Sequence, residues 1–388
     1  MSTNIFDDLQ LIPPGDASAL FDRVAAQLKE EKDYHKLFDS RLMQRKYDLG
    51  LPVVKPASLS DVPDSMRKQV EETYITAARE AGELFLAAGD IPAAWMYYQV
   101  IREPKPVAEA IEALPLSLDH TRVEEILQIA LHQGVHPTKG IKLMLKAHGT
   151  CSTITGFDQA TSNLAPEQRQ NCAKVMVESL YHDLLESVQS SVQKRMAFLP
   201  PGGSLRELMS GRDWLFEAGN YHIDVSHLNS VVRFARMIEP PAEQLDLALQ
   251  LAEYGCKLDA PLQYGGEAPF DDFYPSHVKF FRVLLDKGRA DALQYFQERL
   301  DQEPDEQDKP FLAYVLVDLL MRSGQLEPAV TLAAKYLSNI NSDARVSFAE
   351  LCQKAGRVDT WMQVTREQND LLGFTAALLA KQKQPISV

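Results

Sequence analysis

Along this chain apolar residues recur at three- and four-residue intervals in segments of about a dozen positions, and glycine or proline interrupts the pattern between them. That is the pattern of consecutive amphipathic helices. The segment up to Pro13 and Pro14 reads as disordered. Asp16 then caps a helix, ASALFDRVAAQLKEE, with Leu20, Val24 and Leu28 on one stripe. A second helix runs from about Tyr34 to Leu49, carries Leu37, Leu42 and Tyr47, and stops at Gly50. LPVVKPASLSDVPD, rich in proline and serine, reads as a connector. From Ser65 the helical pattern resumes through Tyr74 and Ala78. Past Pro106 come VAEAIEAL, a helix from about Arg122 to His132 closed by Gly134, and TKGIKLMLKAH, opened by Pro137 and closed by Gly149. The polar stretch 149–164 breaks the rhythm and reads as a loop. A long helix follows from Pro166 to about Phe198, with Val177, Tyr181, Leu184, Val188 and Val192 along one face. The LPPGGS break comes next and marks a subdomain boundary, and Ser204 with Glu207 forms a capping box for the helix SLRELMSGRDWLFEAG, closed by Gly219. No alternating run of β-branched residues bounded by turns appears, so no sheet of more than two short strands is expected.

The strongest periodic grammar lies in AGELFLAAGDIPAAWMYYQVIREPKP, residues 81–106. Gly82 and Phe85 stand three apart, Gly89 closes one helix, Ala94 and Tyr98 stand four apart on the next, and Pro106 follows. This stretch resembles the tetratricopeptide repeat, in which a small residue at a helix crossing admits an aromatic side chain from the partner helix. Gly288, Gly324 and Gly356 continue the rhythm at intervals of 36 and 32 residues. Gly324 and Ala329 keep the five-residue offset of Gly89 and Ala94, Ala292 comes one residue early, and Trp361 stands where a small residue is expected, so the last unit reads as a cap. The resemblance implies an all-α fold, a right-handed α-solenoid of antiparallel helix pairs with irregular polar loops in its middle. Three segments follow: N-terminal helices and connector (1–63), a first helical-repeat subdomain (64–199), and a second (200–388).

Composition narrows the function. A formal net charge of -14 argues against a surface built to neutralise phosphates, so no nucleic-acid partner is expected. Neither a membrane-spanning run nor a signal peptide is legible, which points away from membranes and to a cytoplasmic address. Four cysteines without a CxxC pair form neither a disulfide framework nor a structural zinc site. There is no GxGxxG after a strand, no Walker loop, no HExxH and no GxSxG elbow.

Two strings concentrate chemistry. Tyr221 to His227 places His222, Asp224 and His227 within six residues, and imidazoles with a carboxylate suit a divalent metal in an open site. The bland alternative is that Asp224 or Ser226 caps the helix that follows. His148 and Cys151, three apart, could complete such a shell or act as base and nucleophile; the alternative is a small-residue segment with a buried thiol. His132 and His136 lose helical ligand geometry to Gly134 and Pro137. His277 reads as the end of a long loop, 256–276, and as a solvated histidine. Pro200 to Ser204 reads as a linker more than an anion site.

The leading expectation is therefore a non-enzymatic helical-repeat scaffold that binds a protein or peptide, with a basic partner favoured by the acidic surface. The alternative is a metal-binding protein or enzyme whose loops at 148–158, 221–227 and 264–277 form one pocket.

Overall fold

A computed structural model describes residues 4–196, 203–337 and 347–383. Within these, regular structure is helical, apart from an isolated antiparallel bridge between Gly265 and Asp272. The chain forms two compact units, Met1–Leu164 and Ala165–Val388.

The first unit contains α1 (Ile5–Gln10), α2 (Ala17–Glu30), α3 (Tyr34–Asp48), α4 (Asp64–Ala87), α5 (Ile91–Ile101), α6 (Lys105–Glu112), α7 (His120–Leu127) and α8 (Pro137–Thr161). A π-helical turn, Gln128–His132, extends α7. Each of α2 to α5 packs on the helix that follows it in the chain. At the α4–α5 crossing, Ala94 is fully buried and Tyr98 nearly so, and a Cβ on Gly82 would stand 2.5 Å from the Tyr98 ring. Only glycine leaves room for that ring. Gly89 closes the turn at φ +79, a left-handed conformation that glycine adopts without strain. Overpacking this crossing with Ala94→Leu is expected to cost about 1 to 3 kcal/mol, read as a lowered thermal midpoint. An unchanged midpoint would mean that Ala94 is not tightly enclosed.

Several expectations are corrected here. The start of the chain is not irregular throughout: α1 forms, with Asn4 accepting from the Phe6 N–H. On α2 the buried residues are Phe21 and Ala25, while Leu20 faces solvent. The connector expected at 51–64 is anchored by a buried charge. The Lys46 ammonium, fully buried, donates to the carbonyls of Lys55 and Ser58 at 2.7 Å and to Asp61 at 2.9 Å, so the 51–63 segment wraps one charge. Residues 149–161 are helix, not loop, with a break in α8 at Gly149. Their threonines satisfy themselves inside that helix: Thr153, Thr155 and Thr161 donate to carbonyls four residues back, while Thr153, Phe157 and Ala160 form a buried stripe.

The second unit contains α9 (Pro166–Arg195), α10 (Leu205–Met209), α11 (Val225–Ala235), α12 (Gln244–Gly255), α13 (Phe273–Leu284), α14 (Arg289–Gln302), α15 (Lys309–Arg322), α16 (Leu326–Tyr336), α17 (Phe348–Lys354), α18 (Val358–Glu367) and α19 (Leu371–Lys383). Ser204 and Glu207 make the expected capping box, but the helix it opens ends at Met209 rather than near Gly219: Ser210 is extended, Gly211 turns the chain at φ +66, and only short 3-10 turns follow at Asp213–Leu215 and Glu217–Gly219. The long helix α9 packs on α10, α11 and α12, which assigns it to this unit and puts the division at 164/165. The break expected at LPPGGS lies mostly outside the described residues, as does the helix end expected near Phe198. From α11 to α19 each helix contacts the next. Ala292 and Ala329 are buried, and Trp361 is buried as well, with α18 covered in turn by α19. The sequence pattern did not announce α19.

Candidate functional site

In the Tyr221 to His227 string the local backbone explains most side chains. Asp224 is the N-cap of α11: its Oδ1 accepts from the N–H groups of Ser226 and His227 and from the Ser226 hydroxyl. The hydroxyl contact, followed by those N–H donors, holds the Asp224 carboxyl below the usual carboxylate range. His222 leans on α12. The Tyr254 hydroxyl accepts the His222 backbone N–H at 2.8 Å and shares a second hydrogen bond, of 3.1 Å, with the ring nitrogen His222 Nδ1. Burial lowers the His222 pKa and raises that of Tyr254 to about 12, so both are neutral near pH 7. Asp224 and His222 thus each have a structural partner, and His227 contributes its backbone N–H to the cap.

His148 and Cys151 belong to the first unit, on either side of the Gly149 break. His148 Nε2 lies 2.9 Å from Glu124 Oε1 on α7, and the His120 ring stands edge-on to it at 6.2 Å. Its partner is a carboxylate rather than the thiol. Cys151 is an exposed free thiol, not the buried one that the sequence suggested as the alternative to a nucleophile. Among the described residues no group of three His, Cys, Asp or Glu side chains could hold a metal ion.

His277 is the clearest revision. It is not a solvated loop residue: α13 already begins at Phe273, and His277 is wholly buried, its ring 4.5 Å from that of Phe270 and 4.2 Å from that of Phe273. Nδ1 donates to the Phe273 carbonyl at 2.6 Å, and Nε2 has no partner. Burial, assisted by the nearby Arg236 charge, lowers its pKa to about 3. A histidine whose folded pKa lies below its unfolded value of about 6.5 stabilises fully above that value, and the contribution is lost as pH falls toward the folded pKa. Between pH 7 and pH 5 this group is expected to remove about 2 kcal/mol of stability, and His277→Phe to flatten the dependence by that amount. Urea unfolding of both proteins at the two pH values checks it. Equal slopes would show that the imidazole ionises freely in the fold.

A site that the motif reading passed over lies between α3 and α4. Arg41, Gln44, Arg45 and Asp48 on α3 face Thr73, Thr76, Ala77 and Glu80 on α4 across an open groove of about 360 Å³. Arg41 is committed to Glu80 by two hydrogen bonds of 2.8 and 3.0 Å, which hold the Glu80 pKa down at about 2. Thr73 and Thr76 donate to carbonyls of their own helix. Arg45 reaches Gln69 with one nitrogen, while its Nε is buried without a partner. Of the lining side chains, the Gln44 amide and the Asp48 carboxylate remain for a ligand. The signal was present in the sequence, since 41, 44, 45, 48 and 73, 76, 77, 80 are both stripes at helical spacing. Motif searches weigh unusual residues, and these are ordinary surface types.

No protein-family model matches the chain, and comparison with curated proteins and with solved structures finds no match either. No helix among the described residues is long and apolar enough to cross a membrane.

Proposed function

We propose that the chain is a helical-repeat protein that binds another protein or a peptide, and that the α3–α4 groove is its docking surface in the first unit. The observation that supports the reading is the run of helices that each pack on the next in the chain; stacked tetratricopeptide-like repeats also pack in this way, and such stacks leave a continuous face for a ligand. The groove suits an extended segment with a basic side chain. Gln44 matches the donor and acceptor of a peptide unit, Asp48 matches Lys or Arg, and the chain's charge of -14 draws basic partners from a distance. The alternative, a divalent-metal or enzymatic pocket built on His148, Cys151, His222, Asp224 and His227, has no comparable support, because His148 already pairs with Glu124, His222 with Tyr254, and Asp224 with a helix end.

Selection of peptides from a displayed random library by the purified chain tests the proposal. Enriched peptides should carry Lys or Arg, and their affinity by fluorescence anisotropy should fall at least about tenfold in Asp48→Lys, the loss of one charge-assisted contact. No enrichment, or binding indifferent to both Gln44→Ala and Asp48→Lys, rejects the groove as the site.

A further inference from the structure

Helix α19 is apolar nearly all round, and a helix of that composition is ordinarily covered on every side. Here one side is covered. Ala377 is fully buried, and Lys381 reaches Asp359 on α18 at 2.6 Å, so these positions mark the inward face. On the outward face Leu371, Leu372 and Leu379 are 78%, 83% and 54% exposed, and Leu378 is 38% exposed. At 3.6 residues per turn these four and Thr375 fall within an arc of roughly 120°, with Thr375 at its middle. The hydroxyl of Thr375 donates to the Leu371 carbonyl of its own helix at 2.8 Å, so covering this threonine strands no donor.

We infer that this face pairs with the same face of a second copy of the chain, the two α19 helices running antiparallel about a two-fold axis at Thr375. The spacing is what selects a second copy as occupant. Leu371 and Leu372 precede Thr375 by the same steps with which Leu379 and Leu378 follow it, so rotation about Thr375 sets leucine pair against leucine pair. A two-fold interface needs that self-complementarity. Antiparallel pairing also opposes the two helix dipoles. A helix of 13 residues is about 20 Å long and about 10 Å across. One such face supplies on the order of half the roughly 800 Å² per side typical of a stable complex, so the dimer is weak and dissociates on dilution.

Sedimentation velocity on the full chain, from about 1 to about 300 μM, tests the inference across the range in which a small interface dissociates. The weight-average coefficient should climb from monomer toward dimer. The Leu372→Glu/Leu379→Glu protein, and independently Thr375→Arg, should stay monomeric throughout with unchanged circular dichroism and melting midpoint, since the altered residues are exposed. In a Cys151→Ser/Cys256→Ser background, Thr375→Cys should give a disulfide-linked dimer on copper-phenanthroline oxidation, and Gln382→Cys, displaced from the axis, should give several-fold less. A monomer at every concentration overturns the inference. So does a dimer that survives both surface variants, or one in which Gln382→Cys links and Thr375→Cys does not.

Discussion

Arg322→Met is expected to destabilise the second unit by about 3 to 5 kcal/mol, the cost of removing one partner from a buried charge network. The Arg322 side chain is 5% exposed, and its guanidinium gathers groups from two places in the chain. Nε donates to Glu239 at 3.0 Å, while Nη1 donates to Asp318 at 3.0 Å and to the Arg236 carbonyl at 2.9 Å. Nη2 donates to the Ile238 carbonyl, and the group lies 5.4 Å from the Phe280 ring centre. The end of α15 is thereby tied to the segment after α11, more than eighty positions earlier. Methionine keeps the length and much of the packing but none of the donors. Arg322→Lys should fall between, because an ammonium cannot serve so many acceptors in one plane. In a Trp95→Phe background, tryptophan fluorescence reports the second unit alone, since Trp214 and Trp361 both lie there. A loss below about 1 kcal/mol for the methionine variant would place Arg322 with ordinary surface ion pairs.

Gly255→Ala should cost about 3 kcal/mol, at the upper end of the overpacking range. A Cβ at this position would stand 2.2 to 2.4 Å from atoms of the Tyr274 ring, and Tyr274 is fully buried, so the ring has nowhere to swing. Either α12 and α13 separate or the ring leaves its rotamer. Pairing the change with Tyr274→Leu, which vacates that space, should make the double variant less unstable than the sum of the two single losses. Strict additivity in urea unfolding would show that the two residues do not share the contact.

Gly82 against Tyr98 and Gly255 against Tyr274 are the same device, yet only the first was legible. Around Gly82 the spacing of Phe85, Gly89, Ala94 and Tyr98 repeats a known grammar. Gly255 is separated from α13 by the seventeen residues 256–272, which hold only one short 3-10 helical turn, and nothing in that stretch foretells that Tyr274 returns to it. Helix positions were likewise readable wherever an apolar stripe coincided with a cap or a glycine stop, as at Asp16, Gly50 and Ser204. They were misread where hydroxyl residues imitated a loop: the threonines of 149–161 bond back to their own helix, and sequence does not record which way a hydroxyl turns.

The helical class and the limits of helices such as α2 and α3 were readable from the chain alone, because caps, stops and apolar periodicity act within a few residues of one another. So was the cap role open to Asp224, since an N-cap depends only on the next three positions. Tertiary structure alone decided which ionisable groups are isolated and which are answered. His148 meets Glu124, His222 meets Tyr254, and His277 is sealed among phenylalanines, each through a partner on another element or by complete burial. Tertiary structure alone also left one side of α19 bare. Coverage is a property of the whole packed unit, and a uniformly apolar helix carries no internal mark of which side its neighbours take.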